Sequence, residues 1–171
     1  MKLLLPIIII AILVGGYFGL QQLTKQKPIP ITQISSPSPT SQELKTFQSK
    51  ILKFTIQIPM NFNVKDEGSR VTITTPTGNI YISRNGTQFK SLKDFLEDLD
   101  VKNKITPVDQ EKYMVRDYSA MTRVIKFPGG KPEGERLEYI YVDNAVYIFK
   151  AEKKELYETN YQIVQSFKYS P

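Results

Sequence analysis

Three patterns of apolar and polar positions succeed one another along the chain. The first is an unbroken apolar run. Residues 3–20, bounded by Leu3 and Leu20, read LLLPIIIIAILVGGYFGL and contain 18 positions without a charge. As a helix rising 1.5 Å per residue, such a run spans about 27 Å, close to the hydrocarbon thickness of a bilayer. Pro6 falls in the first turn, where its missing N–H costs little, and Tyr17 and Phe18 suit the interface at the far end. The run predicts a transmembrane signal anchor over residues 1–24. A cleaved signal peptide has a shorter apolar stretch of about 7–15 residues and a small-residue cleavage site. Val14-Gly15-Gly16 is the nearest thing to such a site, so secretion after cleavage is the alternative. Either way the rest of the chain is exported. Lys2 on one flank and Lys25 and Lys27 on the other leave the positive-inside rule nearly balanced. The preferred orientation therefore rests on the composition of the stretch beyond residue 24.

The second pattern has no periodicity. Residues 25–45 carry Pro28, Pro30, Pro37 and Pro39 among many Ser and Thr. Proline removes backbone donors and favours extended polyproline conformations, so this stretch reads as a semi-rigid stalk. A stalk beyond a membrane segment favours a cell-membrane, single-pass protein with an extracytoplasmic C-terminal domain.

The third pattern, over residues 46–171, is alternation interrupted by helical spacing. Phe54, Ile56 and Ile58 alternate with Thr55 and Gln57; Val71 and Ile73 with Thr72 and Thr74; Ile80 and Ile82 with Tyr81 and Ser83. Period-two patterns of this kind predict half-buried antiparallel strands. Asp66-Glu67-Gly68, Pro76-Thr77-Gly78 and Asn85-Gly86 are the predicted turns between them. Leu92, Phe95, Leu96 and Leu99 then share one face of a helix capped by Ser91, with Asp94 in its first turn. Further strands are predicted over 114–115, 120–127, 136–142 and 145–152, the last two joined by the two-residue turn Asp143-Asn144. A second amphipathic helix is predicted over 154–167, with Leu156, Tyr157, Tyr161, Ile163, Val164 and Phe167 on its apolar face. Strands, helix, strands, helix is an α+β order: an antiparallel sheet with helices packed on its faces.

Two segments of this domain resemble a known family. The opening strand FTIQIPMNFNV carries Phe54, Ile56, Ile58 and Pro59, and the ending holds Ile163, Val164, Ser166, Phe167, Lys168 and Tyr169. Both look like the corresponding parts of PsbP-like domains, and the resemblance spans roughly residues 46–170. Where the family usually has a tryptophan after the first strand's proline, this chain has Asn61-Phe62. The resemblance implies an α-β-α sandwich with a scaffold or assembly role. Bacterial relatives are often exported or membrane-tethered, and most are uncharacterised. No catalytic residue carries over, because the matching positions are structural.

Composition removes chemistry. The chain has no cysteine and no histidine, so thiolate chemistry, disulfides, lipidated cysteine, the commonest general base and the commonest metal ligand are all absent. Of the 23 basic residues, three precede Glu43, which leaves 20 against 17 acidic residues in the domain. So mild a balance argues against nucleic acid. There is no G-x-S-x-G nucleophile elbow, and Ser91-Leu92-Lys93 sits at a helix cap. Asp94, Glu97, Asp98 and Asp100 are the one dense acidic cluster, but they lack the glycine and terminal glutamate of a calcium loop; they read as a solvated helix face. Neither metal nor cofactor is expected.

The glycine-rich stretch Pro128, Gly129, Gly130, Lys131 reads as a hairpin loop and is the expected contact for a partner. Tyr139 with Tyr141, and Tyr147 with Phe149, are read first as packing and second as an aromatic binding surface. Three classes of function remain. The favoured one is a non-enzymatic domain that binds an envelope protein or component. The second is a small-ligand binder or sensor using a pocket between sheet and helix. The third is an envelope hydrolase using Glu133 or Glu135.

Overall fold

The structure, a computed structural model, describes residues 43–126, 129–130 and 134–171. The predicted anchor and most of the predicted stalk lie outside the described residues, as do Pro128, Lys131 and Glu133. Among the described residues no helix is long and apolar enough to cross a membrane.

The elements are β1 (Leu44–Ser49), β2 (Phe54–Pro59), β3 (Asn63–Asp66), β4 (Arg70–Thr75), β5 (Gly78–Gly86), α1 (Leu92–Asn103), β6 (Thr106–Val115), β7 (Tyr118–Lys126), β8 (Glu135–Val142), β9 (Ala145–Ala151), a 3-10 turn (Lys154–Leu156), α2 (Tyr157–Gln165) and β10 (Lys168–Tyr169). Seven strands form one sheet in the order β3-β4-β5-β9-β8-β7-β6, and β1-β2-β10 form a second. Every pairing is antiparallel.

Alternation sorts the side chains of the large sheet into two cores. Val71, Ile73, Ile80, Ile82, Ile140, Tyr147 and Phe149 join the first, which Ile163 and Val164 of α2 and Phe54, Ile56 and Ile58 of β2 cover. Met121, Ile125, Leu137, Tyr139 and Val146 join the second, roofed by Leu92 and Leu96 of α1 with Phe95 and Leu99 beside them. The result is a sheet with helices on its faces, as the α+β order predicted, in the α-β-α layering that the resemblance implied, with the small sheet sharing one outer layer with α2.

The two segments that carried the family resemblance are joined in space. Tyr169 of β10 pairs with Phe54 of β2, and the rings of Phe54 and Phe167 stack at 5.9 Å. Phe167 also lies 4.8 Å from the Tyr147 ring and 5.9 Å from that of Phe149. Phe62, which stands where the family's tryptophan would be, is buried in the same core.

Some local expectations gave way to tertiary pairing. Asn85-Gly86 is no turn. Both residues lie in β5 and pair with Val146 and Ala145 of β9, and neither adopts the positive φ of a two-residue hairpin. The ladder with β9 supplies their partners, so the strand runs on. By contrast Asp143 and Asn144, at φ 50° and 52°, make the expected tight turn. The predicted helix over 154–167 divides into the 3-10 turn and α2, and ends at Gln165, with Ser166 and Phe167 between it and β10. Ser166 closes α2: its Oγ donates to the Ile163 carbonyl at 2.6 Å and accepts from the Gln57 N–H at 2.8 Å. β6 runs over ten residues where alternation marked only 114–115. It is an edge strand, polar on both faces over Asp109–Lys112, so it has no apolar period to read.

A buried ion pair ties α1 to the sheet. Arg123, 1% exposed, places Nη2 2.5 Å from Asp100 Oδ2. Its Nε and Nη1, and the other oxygen of Asp100, have no hydrogen-bond partner among the described residues.

Candidate functional site

Gly134, immediately before β8, borders one cleft. Its φ is +83°, and a Cβ there would meet the Ile125 carbonyl oxygen at 2.8 Å. Only glycine fits so close a backbone approach with a left-handed φ. Of the loop expected to contact a partner, Gly129 and Gly130 are exposed, and Gly134 at its downstream end lines the cleft.

Beyond Gly134 four strands and the turn into α2 line a cleft of about 470 Å³, with Val124 from β7. Tyr81 comes from β5, Glu135 and Arg136 from β8, Lys150 and Ala151 from β9, Lys154 from the 3-10 turn and Tyr157 from α2. A shallower hollow of about 490 Å³ on the α1 face of the sheet shares Tyr81, Glu135 and Lys150 with it and adds Arg70 and Ser83. Volumes of this order suit small organic ligands.

The charges of the cleft are arranged in layers. Beneath it Glu138 is fully buried, and every oxygen is engaged. Oε1 accepts from Arg136 Nε at 2.9 Å, and Oε2 accepts from the Tyr113 hydroxyl at 2.9 Å and from Thr122 Oγ1. Burial, then the negative charge of Glu138, pushes the Tyr113 hydroxyl far above its ordinary value. Arg136 also lies over the Tyr157 ring, 5.8 Å from its centroid. At the rim Lys150 Nζ pairs with Glu135 Oε2 at 2.6 Å. Glu152 Oε2 accepts from the backbone and side-chain nitrogens of Asn79 at 3.0 and 3.1 Å. Arg70 sits 5.0 Å over the Tyr81 ring.

The other sequence candidates fall elsewhere. The acidic stretch of α1 is spent piecewise: Asp94 accepts from the Ser91 hydroxyl at 2.7 Å, Glu97 pairs with Lys93, Asp98 with Lys102 and Asp100 with Arg123. No group of three carboxylates converges among the described residues. Ser91 is the helix cap, its Oγ accepting from the Asp94 N–H. Tyr139 and Tyr147 are buried in opposite cores; burial pushes each hydroxyl up to about 12, and that of Tyr147 donates to the Leu52 carbonyl at 2.6 Å. Tyr141 donates to the Phe89 carbonyl at 2.8 Å. These rings pack; they do not form a binding surface. Tyr81, Arg136, Lys150, Lys154 and Tyr157 were not legible as a set, because five elements contribute them and no spacing links them.

An antiparallel sheet roofed on both faces by helices defines a class of small α-β-α sandwich domains. Within it, the fold is PsbP-like. The solution structure of cyanobacterial PsbP (CyanoP) from Synechocystis sp. PCC 6803 is similar with a TM-score of 0.50 at 9% identity, over 77% of this chain and 95% of that one. A scan against protein-family models found no match, and neither did a sequence search among curated proteins.

Proposed function

We propose that this chain is a membrane-tethered, single-pass protein whose extracytoplasmic domain binds its target without catalysis, through the cleft at the ends of β5, β8 and β9. The observation that carries the reading is the cleft itself. Its cations and tyrosines face a cavity of ligand size, while its carboxylates are held in ion pairs and hydrogen bonds. Glu135, the described member of the pair considered for hydrolysis, is bound to Lys150. Binding rather than proton transfer is what such groups do well. The PsbP-like fold agrees with a scaffold or binding role, and the uncharged run over 3–20 supports the tether.

The test is site-specific photocrosslinking in intact cells. A photoreactive residue at Tyr81 or Tyr157 is expected to trap an adduct, and one at Lys93 on the exposed side of α1 is not. Equal trapping at all three positions, or none at any, would sink the reading. Alkaline carbonate washing of membranes tests the tether separately: the chain should stay in the pellet. The cavity's volume favours, as a second reading, a small molecule over a protein segment as the occupant. A thermal-shift screen with no stabilising compound would count against it, because a ligand of the native state must raise stability.

A further inference from the structure

We infer that the cleft recognises a small organic anion, a carboxylate or phosphate carried on a flat apolar body, and that the Arg136 guanidinium is the group that reads it. The inference rests on the cleft being the binding site and names the ligand class it takes.

Arg136 is held for this work from two sides. Its Nε is committed to the buried carboxylate of Glu138, which is in turn held by Tyr113 and Thr122. Its planar head lies over the Tyr157 ring. The two terminal nitrogens make no hydrogen bond to any described residue, although Arg136 is only partly exposed and lines the cavity. A guanidinium fixed through Nε presents its two Nη groups as a parallel fork, the geometry that binds both oxygens of a carboxylate or phosphate. Pre-organisation removes much of the rotamer entropy that a surface arginine loses on binding.

A second cation stands nearby. Lys154, on the turn into α2, lines the same cavity and has no ion pair among the described residues. The third, Lys150, is neutralised by Glu135. Arg136 is likewise ion-paired, to Glu138, so it contributes its two unbonded Nη groups as donors, and Lys154 adds a positive charge; Glu152 lines the same cavity but is held by Asn79, and Tyr81, Tyr157 and Ala151 supply apolar walls for the ligand body.

Isothermal titration of the full-length chain with benzoate, phenyl phosphate and neutral benzamide tests this. At least one anion is expected to bind about tenfold or more tightly than benzamide. Arg136→Lys keeps a cation for Glu138 but loses the fork, and it should weaken that anion about tenfold. Lys154→Gln should weaken it by a smaller factor, and Lys93→Gln on α1 should leave it unchanged. Thermal unfolding of each variant checks that it is folded. Benzoate and phenyl phosphate distinguish the two anion types. If benzamide binds as tightly as both anions and Lys154→Gln does not matter, anion selection is wrong while the cleft remains a binding site. Anion binding indifferent to both cleft variants overturns the inference as well. If no probe binds, the small-anion inference fails, and the photocrosslinking result alone then decides whether the cleft binds anything.

Discussion

The tie between α1 and the sheet gives a sharp test of how burial sets the cost of an ion pair. Arg123 lies on β7 between Met121 and Ile125, opposite Leu137 of β8. Its side chain is 2% exposed, while that of Asp100 is 20% exposed. The two halves of the pair should therefore be unequal. In Asp100→Ala the guanidinium keeps its charge, because arginine does not deprotonate in proteins, and it loses its one hydrogen-bonded anion. Leaving a buried charge without its partner costs about 3–5 kcal/mol. In Arg123→Met the orphan is a carboxylate whose side chain is 20% exposed, although its Oδ1 is buried, and two buried nitrogens that lacked partners disappear with the guanidinium. That change should stay within about 1.5 kcal/mol of the parent. At about 4 °C per kcal/mol, Asp100→Ala should lower Tm by about 12–20 °C and Arg123→Met by under about 6 °C. The double variant should resemble Arg123→Met alone, since no buried charge is left to strand. Thermal and urea unfolding of the three variants measures this, with an unchanged m-value as the check on two-state behaviour. If Asp100→Ala costs no more than Arg123→Met, or the double variant shows the sum of the singles, the burial argument is refuted.

Other outcomes rest on single contacts. Gly134→Ala must force a left-handed φ and a contact with the Ile125 carbonyl; a loss of about 1–3 kcal/mol in denaturant unfolding is expected. Ser91→Ala removes the cap that accepts from the Asp94 N–H and should cost about 1 kcal/mol by the same assay. Asn144→Gly, at φ 52°, relieves the left-handed strain on a residue with a Cβ but adds freedom to the unfolded chain, so the two offset and stability should change by under about 0.5 kcal/mol. Burial pushes the Tyr139 and Tyr147 hydroxyls up to about 12 from an ordinary 10.0. The folded state holds these protons more tightly, so their contribution is complete below pH 10 and is lost as pH rises to about 12. Absorbance at 295 nm should show a late-ionising class that appears only as circular dichroism reports unfolding; free ionisation of all tyrosines near pH 10 in folded protein would contradict this.

Periodicity alone determined much of this protein. The alternation around Phe54–Ile58, Val71–Ile73 and Ile80–Ile82, the 92-95-96-99 helical face and the Asp143-Asn144 turn are local signals, and local sterics and amphipathic burial enforce them. The lack of cysteine and histidine limited the chemistry before any fold was known. What depended on distant partners was not legible. β6 is polar on both faces because it is an edge, so it had no period to betray it. Asn85-Gly86 has turn chemistry but became strand because β9 lies beside it. The cleft is the extreme case. Tyr81, Arg136, Lys150, Lys154 and Tyr157 carry no mutual spacing, and only the order β5-β9-β8, with the turn into α2 beside it, brings them to one cavity. Glu138 makes the same point: in sequence it is one acid among several near a loop, and only its sealing between Tyr113, Thr122 and Arg136 turns it into the anchor for an arginine. Secondary structure is a local free-energy minimum, whereas a site is a coincidence of side chains that packing alone imposes.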